Sequence, residues 1–161
     1  MSDSPLTRRA WLARMAGTAL SGAAMTTLLP RISAAAPKPT AITVYKDPSC
    51  GCCKKWVEHL KAAGFTPTVH DTPDMPTVRT SMGVPAALQS CHTARVGGYT
   101  IEGHVPADEI KRLLREKPAG AGLAVPGMPM GSPGMEMGSM KDKFDVMLFD
   151  KNGKSRVFAS R

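Results

Sequence analysis

Four cysteines carry the chemistry open to this chain. Three fall within four residues, Cys50, Cys52 and Cys53, in the stretch VYKDPSCGCCKKWVEHL. The fourth, Cys91, follows in GVPAALQSCHTA. A dithiol redox site needs two cysteines at such a position, not three, and a structural zinc site spaces its first pair about two to four residues apart. Thiolate rather than thiol binds metal. A helix start at the CGCC run stabilises thiolate through free N–H groups and partial positive charge, and Lys54 and Lys55 add to it. Cysteine pKa values there are expected to fall, with Gly51 giving the backbone freedom to turn between two ligands. Soft sulfur donors select Cu(I). Sulfurs packed this densely do not readily occupy three corners around one zinc, but each can bridge two Cu(I) ions. Four cysteines then suit a compact cluster of several coppers.

Other chemistries use the same residues. In an oxidising compartment the four cysteines permit two disulfides. Adjacent Cys52 and Cys53 do not pair without backbone strain, so that arrangement joins Cys50 to Cys52 or Cys53 and adds a bond to Cys91. Cys50 and Cys53 also stand at C-x-x-C spacing, which suits a thiol–disulfide oxidoreductase. The spacing matches neither common iron–sulfur pattern. Among the histidines, His92 and His104 are additional metal candidates, while His59 and His70 read as surface residues. If Cys91 and His92 share a strand, they point to opposite faces, which would keep His92 out of the cluster. His104, at the EGHVPA corner, has a helix-capping role as its alternative. Met128, Met130, Met135, Met137 and Met140 fit neither helical nor strand spacing. Their thioethers are candidate Cu(I) ligands or, equally, loop residues packed over the core.

The elements that must position these residues are legible along the chain. AITVYKD reads as a strand from its alternation of apolar and polar residues. After the Asp47-Pro48-Ser49 turn, Cys53, Trp56, Val57, Leu60 and Ala63 recur at helical spacing, and Gly64 stops the helix. FTPTVHD is a second strand, placed at an edge by Pro67. Residues 74–83 suit a short helix capped by Asp74, with Pro76 in its first turn. HTARVGGYTIEGH is a hairpin turning at Gly97-Gly98. VPADEIKRLLREKP is a helix with acids in its first turn and Ile110, Leu113 and Leu114 on its buried stripe. Residues 118–140 hold six glycines, four prolines and five methionines, and are expected to form neither helix nor strand. Residues 143–160 read as a hairpin with a two-residue Asn152-Gly153 turn. The order β-α-β-α-β-β-α is that of an α/β, thioredoxin-like domain, followed by the Met/Gly/Pro-rich loop and the C-terminal hairpin. In that fold a cis proline faces the active-site cysteines, and Val84-Pro85 is expected to supply it.

With DPSCGCCKKW, GVPAALQSCHTA, GYTIEGHVPADEIKRLL and GLAVPGMPMGSPGME in this order, residues 41–160 resemble the CopG family of periplasmic copper-resistance, metal-binding proteins, formerly a domain of unknown function. The resemblance implies a thioredoxin-like fold and copper, as Cu(I) or Cu(II), bound by the thiolates of Cys50, Cys52, Cys53 and Cys91. It implies a role in handling copper, with a change of oxidation state at the metal as one reading. Three functions stay side by side: a copper-binding protein with copper oxidoreductase activity, a thiol–disulfide oxidoreductase using Cys50 and Cys53, and a passive copper chaperone or store. Partners would be copper ions and a copper efflux pump or periplasmic copper chaperone.

Residues 1–36 read as an export signal, leaving 37–161 as the copper-binding domain. TRRAWLARM is a basic start, AGTALSGAAMTTLLP an uncharged apolar core, and ISAAAP a cleavage region. Arg8-Arg9 resembles a twin-arginine signal. The apolar core is short for a membrane span, so none is expected after the signal is removed. Loss of four arginines and Asp3 brings the net charge from +8 to +5. The remaining basic residues are scattered, without a nucleic-acid footprint. The expected location is the periplasm. Mass spectrometry of periplasmic protein should find a mature chain beginning near Ala35 or Pro37; full-length protein in the cytoplasm would sink the export reading.

Overall fold

A computed structural model describes residues 39–161, and the expected export signal lies outside them. Alternation in the first apolar run produces strand β1 (Thr40–Lys46), with Ile42, Val44 and Lys46 turned inward. Helix α1 (Gly51–Ala62) follows, burying Cys53, Trp56, Val57 and Leu60. It ends where Gly64 takes a φ of 88°, a conformation that glycine adopts without a Cβ penalty. Strand β2 (Phe65–Asp71) runs parallel to β1 at the sheet edge, where Pro67 leaves no ladder bond unmade. Helix α2 (Met75–Ser81) starts at Asp74, whose carboxylate accepts from the Thr77 amide at 3.2 Å. Strands β3 (His92–Val96) and β4 (Tyr99–Glu102) form the expected hairpin. Helix α3 (Ala107–Glu116) then crosses back.

β3 runs antiparallel to both β1 and β4. The order β2-β1-β3-β4, joined by three helices, is the thioredoxin-like arrangement. Two differences from the sequence expectation extend it. The first is strand β5 (Gly122–Ala124), which lies inside the segment expected to hold no strand and pairs parallel to β4. Glycine makes it possible: a Cβ on Gly122 would overlap the Thr100 carbonyl. The second is the hairpin of β6 (Asp145–Phe149) and β7 (Ser155–Ser160), which has a wider connection than two residues. The Asp150 carboxylate accepts from the amides of Asn152 and Lys154 at 2.8 and 3.0 Å, satisfying donors that a tighter turn would have paired across the strands. Seven strands result, in the order β2-β1-β3-β4-β5-β6-β7.

The sheet separates its two faces by chemistry. Ile42, Val44, Ala94, Val96, Ile101, Leu123, Val146 and Leu148 meet Trp56, Val57 and Leu60 of α1 and Ile110 and Leu113 of α3 in the main core. On the opposite face Thr93, Thr100 and Glu102 are fully buried, and Thr100 donates to the Met82 carbonyl beyond α2 at 3.0 Å. The C-terminal hairpin is fastened to α3 by Arg112, which stacks 4.3 Å from the Phe158 ring centre, and by the Arg161–Glu109 ion pair.

No cis peptide occurs among the described residues, so Val84–Pro85 is trans. Pro85 instead opens a 3-10 turn over Ala86–Leu88, several residues ahead of β3. The cis proline expected at Val84–Pro85 is thus absent, and the residue directly before β3 is Cys91. Gly51 likewise needs no special backbone freedom. It is the first residue of α1 and is absent from the positive-φ positions. Gly122→Ala should destabilise the fold by about 3 kcal/mol through overpacking. Gly51→Ala, with nothing near its added methyl, should leave stability within about 1 kcal/mol. Chemical denaturation of both variants checks the contrast.

Candidate metal centre

Cys50 is the N-cap of α1, and its sulfur accepts from the Cys53 amide at 3.4 Å. The Asp47-Pro48-Ser49 turn sets this cap: the Cys50 amide donates to the Asp47 carbonyl at 3.1 Å, and Ser49 holds the Asp47 carboxyl below its ordinary pKa through its hydroxyl and amide. No acid lies in the first turn of α1, so the positive helix end faces the sulfurs uncompensated. Cys50 and Cys53 are joined in a disulfide, while Cys52 and Cys91 are free. The Cys52 sulfur stands 3.4 Å from that of Cys50 and 4.0 Å from that of Cys91. All four sulfurs lie within 4.8 Å of one another. The topology does this, because β3 lies beside β1 and α1 rises from the end of β1.

Both candidate histidines converge on Cys91. Its sulfur is 3.0 Å from His104 Nε2 and 3.3 Å from His92 Nδ1. The opposite-faces expectation fails because β3 begins at His92. Cys91 precedes the strand, so the alternation does not bind it. His104 Nδ1 lies 2.8 Å from the Pro133 carbonyl, which only accepts, so Nδ1 carries the proton. In neutral His104 the lone pair of Nε2 then faces Cys91, the orientation in which a histidine ligates metal while its other nitrogen donates to a backbone carbonyl. Burial pushes the pKa of His104 down and that of Cys91 up to about 12, where the neighbouring Cys52 adds to the rise. The pair is therefore a neutral S–H···N contact, and the low thiol pKa expected of the CGCC run does not extend to Cys91. A bound soft cation would take the place of the thiol proton. His92 is fully buried between Trp56 and His104, with ring centres 4.2 and 4.9 Å away. Burial also drives its pKa well down, and its Nε2 has no hydrogen-bond partner. His59 is no free surface residue either: its Nε2 accepts from Ala107, the first amide of α3, at 3.1 Å. His70 is exposed and stacks on Tyr45 at 5.2 Å.

The loop reaches the site through its backbone. Gly134 sits so close to α1 that a Cβ there would lie 2.8 Å from the Cys52 carbonyl and the Trp56 amide. Met128, Met137 and Met140 are exposed, and Met130 and Met135 are half-buried. Met130 is fixed by two bonds to Asp142, and Met137 bridges Met140.

Sequence reasoning missed the residues that place Cys91. The Ser90 amide donates to Glu102 Oε1 at 2.7 Å, its carbonyl accepts from Arg79, and its hydroxyl donates to the Gly127 carbonyl. Glu102 is completely buried and also accepts from Thr93 at 2.6 Å and Arg79 at 3.2 Å. The one available signal was an acid in the apolar alternation of β4. Once the Cys50–Cys53 bond is reduced, the donor set of four thiol sulfurs with two imidazole nitrogens behind one of them is chemically soft and would suit copper.

Two solved structures, described as copper resistance protein copG, form 1 and form 2, are similar to this chain. They are 48% and 47% identical to it, each with a TM-score of 0.73, over 76% of this chain and 98% of theirs. The chain belongs to the CopG family. A family model described as a protein of unknown function, DUF411, matches residues 88–135, which include Cys91, His92, His104 and the first three loop methionines but not the CGCC run. No curated protein matches the chain. Among the described residues, no helix is long and apolar enough to cross a membrane. In this CopG-family chain, Glu102→Ala strips the Ser90 amide of its acceptor and removes the carboxylate partner of Arg79. It should cost about 3 kcal/mol and make alkylation of Cys91 by iodoacetamide about tenfold faster in the metal-free protein, because the segment that shelters the thiol is released. Glu102→Gln, which keeps one acceptor oxygen, should fall between wild type and Glu102→Ala in both measurements.

Proposed function

We propose that this chain is an exported, periplasmic copper-binding protein of copper resistance. In its reduced form the thiolates of Cys50, Cys52, Cys53 and Cys91 hold more than one Cu(I) ion. The observation that carries the reading is the gathering of all four sulfurs within 4.8 Å at a helix N-terminus. Sulfurs that close serve more easily as bridges than as independent terminal ligands, and bridging needs at least two metals. His104, with its lone pair toward Cys91, is the first additional ligand, and His92 the second. Met128, Met130, Met135 and Met137 extend the soft donors along a loop that touches α1 at Gly134. The bound copper cycles between Cu(I) and Cu(II), and the partners are copper ions and an efflux pump or periplasmic chaperone that receives them.

A second reading rests on the Cys50–Cys53 disulfide, which is the bond a thiol–disulfide oxidoreductase would use. Copper per monomer under reducing conditions separates the two, with circular dichroism as the folding control. Wild type should hold two or more coppers. Cys91→Ser and Cys52→Ser should each hold fewer with the fold intact, because the core is carried by Ile42, Val44, Trp56, Leu60 and Leu113. One copper or none in wild type, or unchanged copper in Cys91→Ser, would put disulfide exchange first.

A further inference from the structure

The four cysteines are not equivalent. Cys50 and Cys53 lie one helical turn apart and are bonded to each other, while Cys52 and Cys91 remain thiols with their sulfurs 4.0 Å apart. A disulfide needs about 2 Å. Closing that gap would require the Cys52 or Cys91 side chain to turn, and on the Cys91 side the backbone at Ser90 is held by bonds from α2, β4 and the loop. Forming the Cys50–Cys53 bond asks nothing of any other element. When it forms, the site keeps two sulfurs and, beside Cys91, the outward lone pair of His104 at 3.0 Å. Two sulfurs and one imidazole nitrogen are a sufficient soft set for a low-coordinate Cu(I) ion.

We infer that the site divides its labour: the Cys50/Cys53 dithiol is the electron source that reduces Cu(II), and Cys52, Cys91 and His104 hold one Cu(I) ion after the disulfide has formed. This rests on the copper reading above and supplies the electrons for one reduction of Cu(II) to Cu(I) by the reduced chain. Two Cu(II) ions each accept one electron. The two S–H bonds of Cys50 and Cys53 break, one S–S bond forms between them, and two protons leave to solvent. Half-exposed Cys50 at the helix end offers the first contact to the incoming ion, and buried Cys53 completes the bond behind it. One of the two Cu(I) ions stays on the remaining donors, and the other is free to leave.

The test uses the whole mature chain, fully reduced, metal-free and freed of reductant under nitrogen. Given excess Cu(II) and a chromogenic Cu(I) chelator in enough excess to strip the retained ion, it should yield two Cu(I) per chain. Mass spectrometry of the alkylated digest should find one disulfide, Cys50–Cys53, with Cys52 and Cys91 alkylated. The disulfide form, supplied with Cu(I) alone and desalted, should retain one copper per chain. Cys91→Ala should lose this copper, and His104→Gln should weaken its retention about tenfold or more. Four Cu(I) with two disulfides, a disulfide that includes Cys52 or Cys91, or no copper retained by the wild-type disulfide form would overturn the inference. If the reduced chain takes up several Cu(I) ions directly but gives no disulfide with Cu(II), the copper reading stands and this inference alone fails.

Discussion

A single buried carboxylate decides where the fourth sulfur stands. Glu102 is sealed from water and accepts from Ser90, Thr93 and Arg79. Its pKa is raised chiefly by burial, which those three donors oppose. An acid in that position is tolerable only when its acceptors are used, and here their use fixes the backbone one residue before Cys91. The helix end that carries the other three sulfurs is ordinary local structure. Its meeting with Cys91 is not local, since it depends on β3 lying against β1 and on Ser90 being held as β3 begins.

The two imidazoles beside Cys91 are held neutral by burial. His92 is fully buried, and both His92 and His104 have pKa values lowered first by burial. Cys91 is pushed the other way for the same reason. Neutral imidazole and neutral thiol are the forms that a poorly solvated pocket stabilises without a metal. Trp56 closes the floor, its ring tilted against His92 and its Nε1 donating to the Val105 carbonyl at 2.9 Å. The positive end of α1 then lies on one side of the four sulfurs and uncharged nitrogen donors on the other.

The sequence made the fold visible because its elements are marked locally. The alternation in β1, the apolar spacing in α1, Asp74 before α2 and Gly97-Gly98 between β3 and β4 each announce themselves within a few residues. The four cysteines and two histidines were also legible, as residue types in suggestive places. Their geometry was not. Alternation placed His92 away from Cys91 because nothing in the sequence says that the strand begins one residue later. The Val84–Pro85 expectation failed for a similar reason: a 3-10 turn and three further residues separate Pro85 from β3, and no local pattern announces them. β5 stayed hidden in a glycine-rich run because a three-residue strand carries no period, and its decisive property is the absence of a side chain at Gly122. The network of Arg79, Ser90 and Glu102 joins residues far apart in sequence, and no local pattern encodes it.

The loop between Ala124 and Asp145 leaves the sheet on one strand and returns on the strand paired with it. Its two feet stand on neighbouring strands, which run about 5 Å apart, with Ala124 paired to Met147. The entropy of closing such a span rises only slowly with its length, by about 0.6 kcal/mol for each doubling. Lineages can therefore lengthen, shorten or rewrite this handle, gaining or shedding thioethers, with little penalty to the domain beneath. The exceptions are Gly127, which accepts from Ser90, Pro133, which fixes His104, and Gly134 against α1. They tie three points of an otherwise editable stretch to the site, and evolutionary freedom should be smallest there.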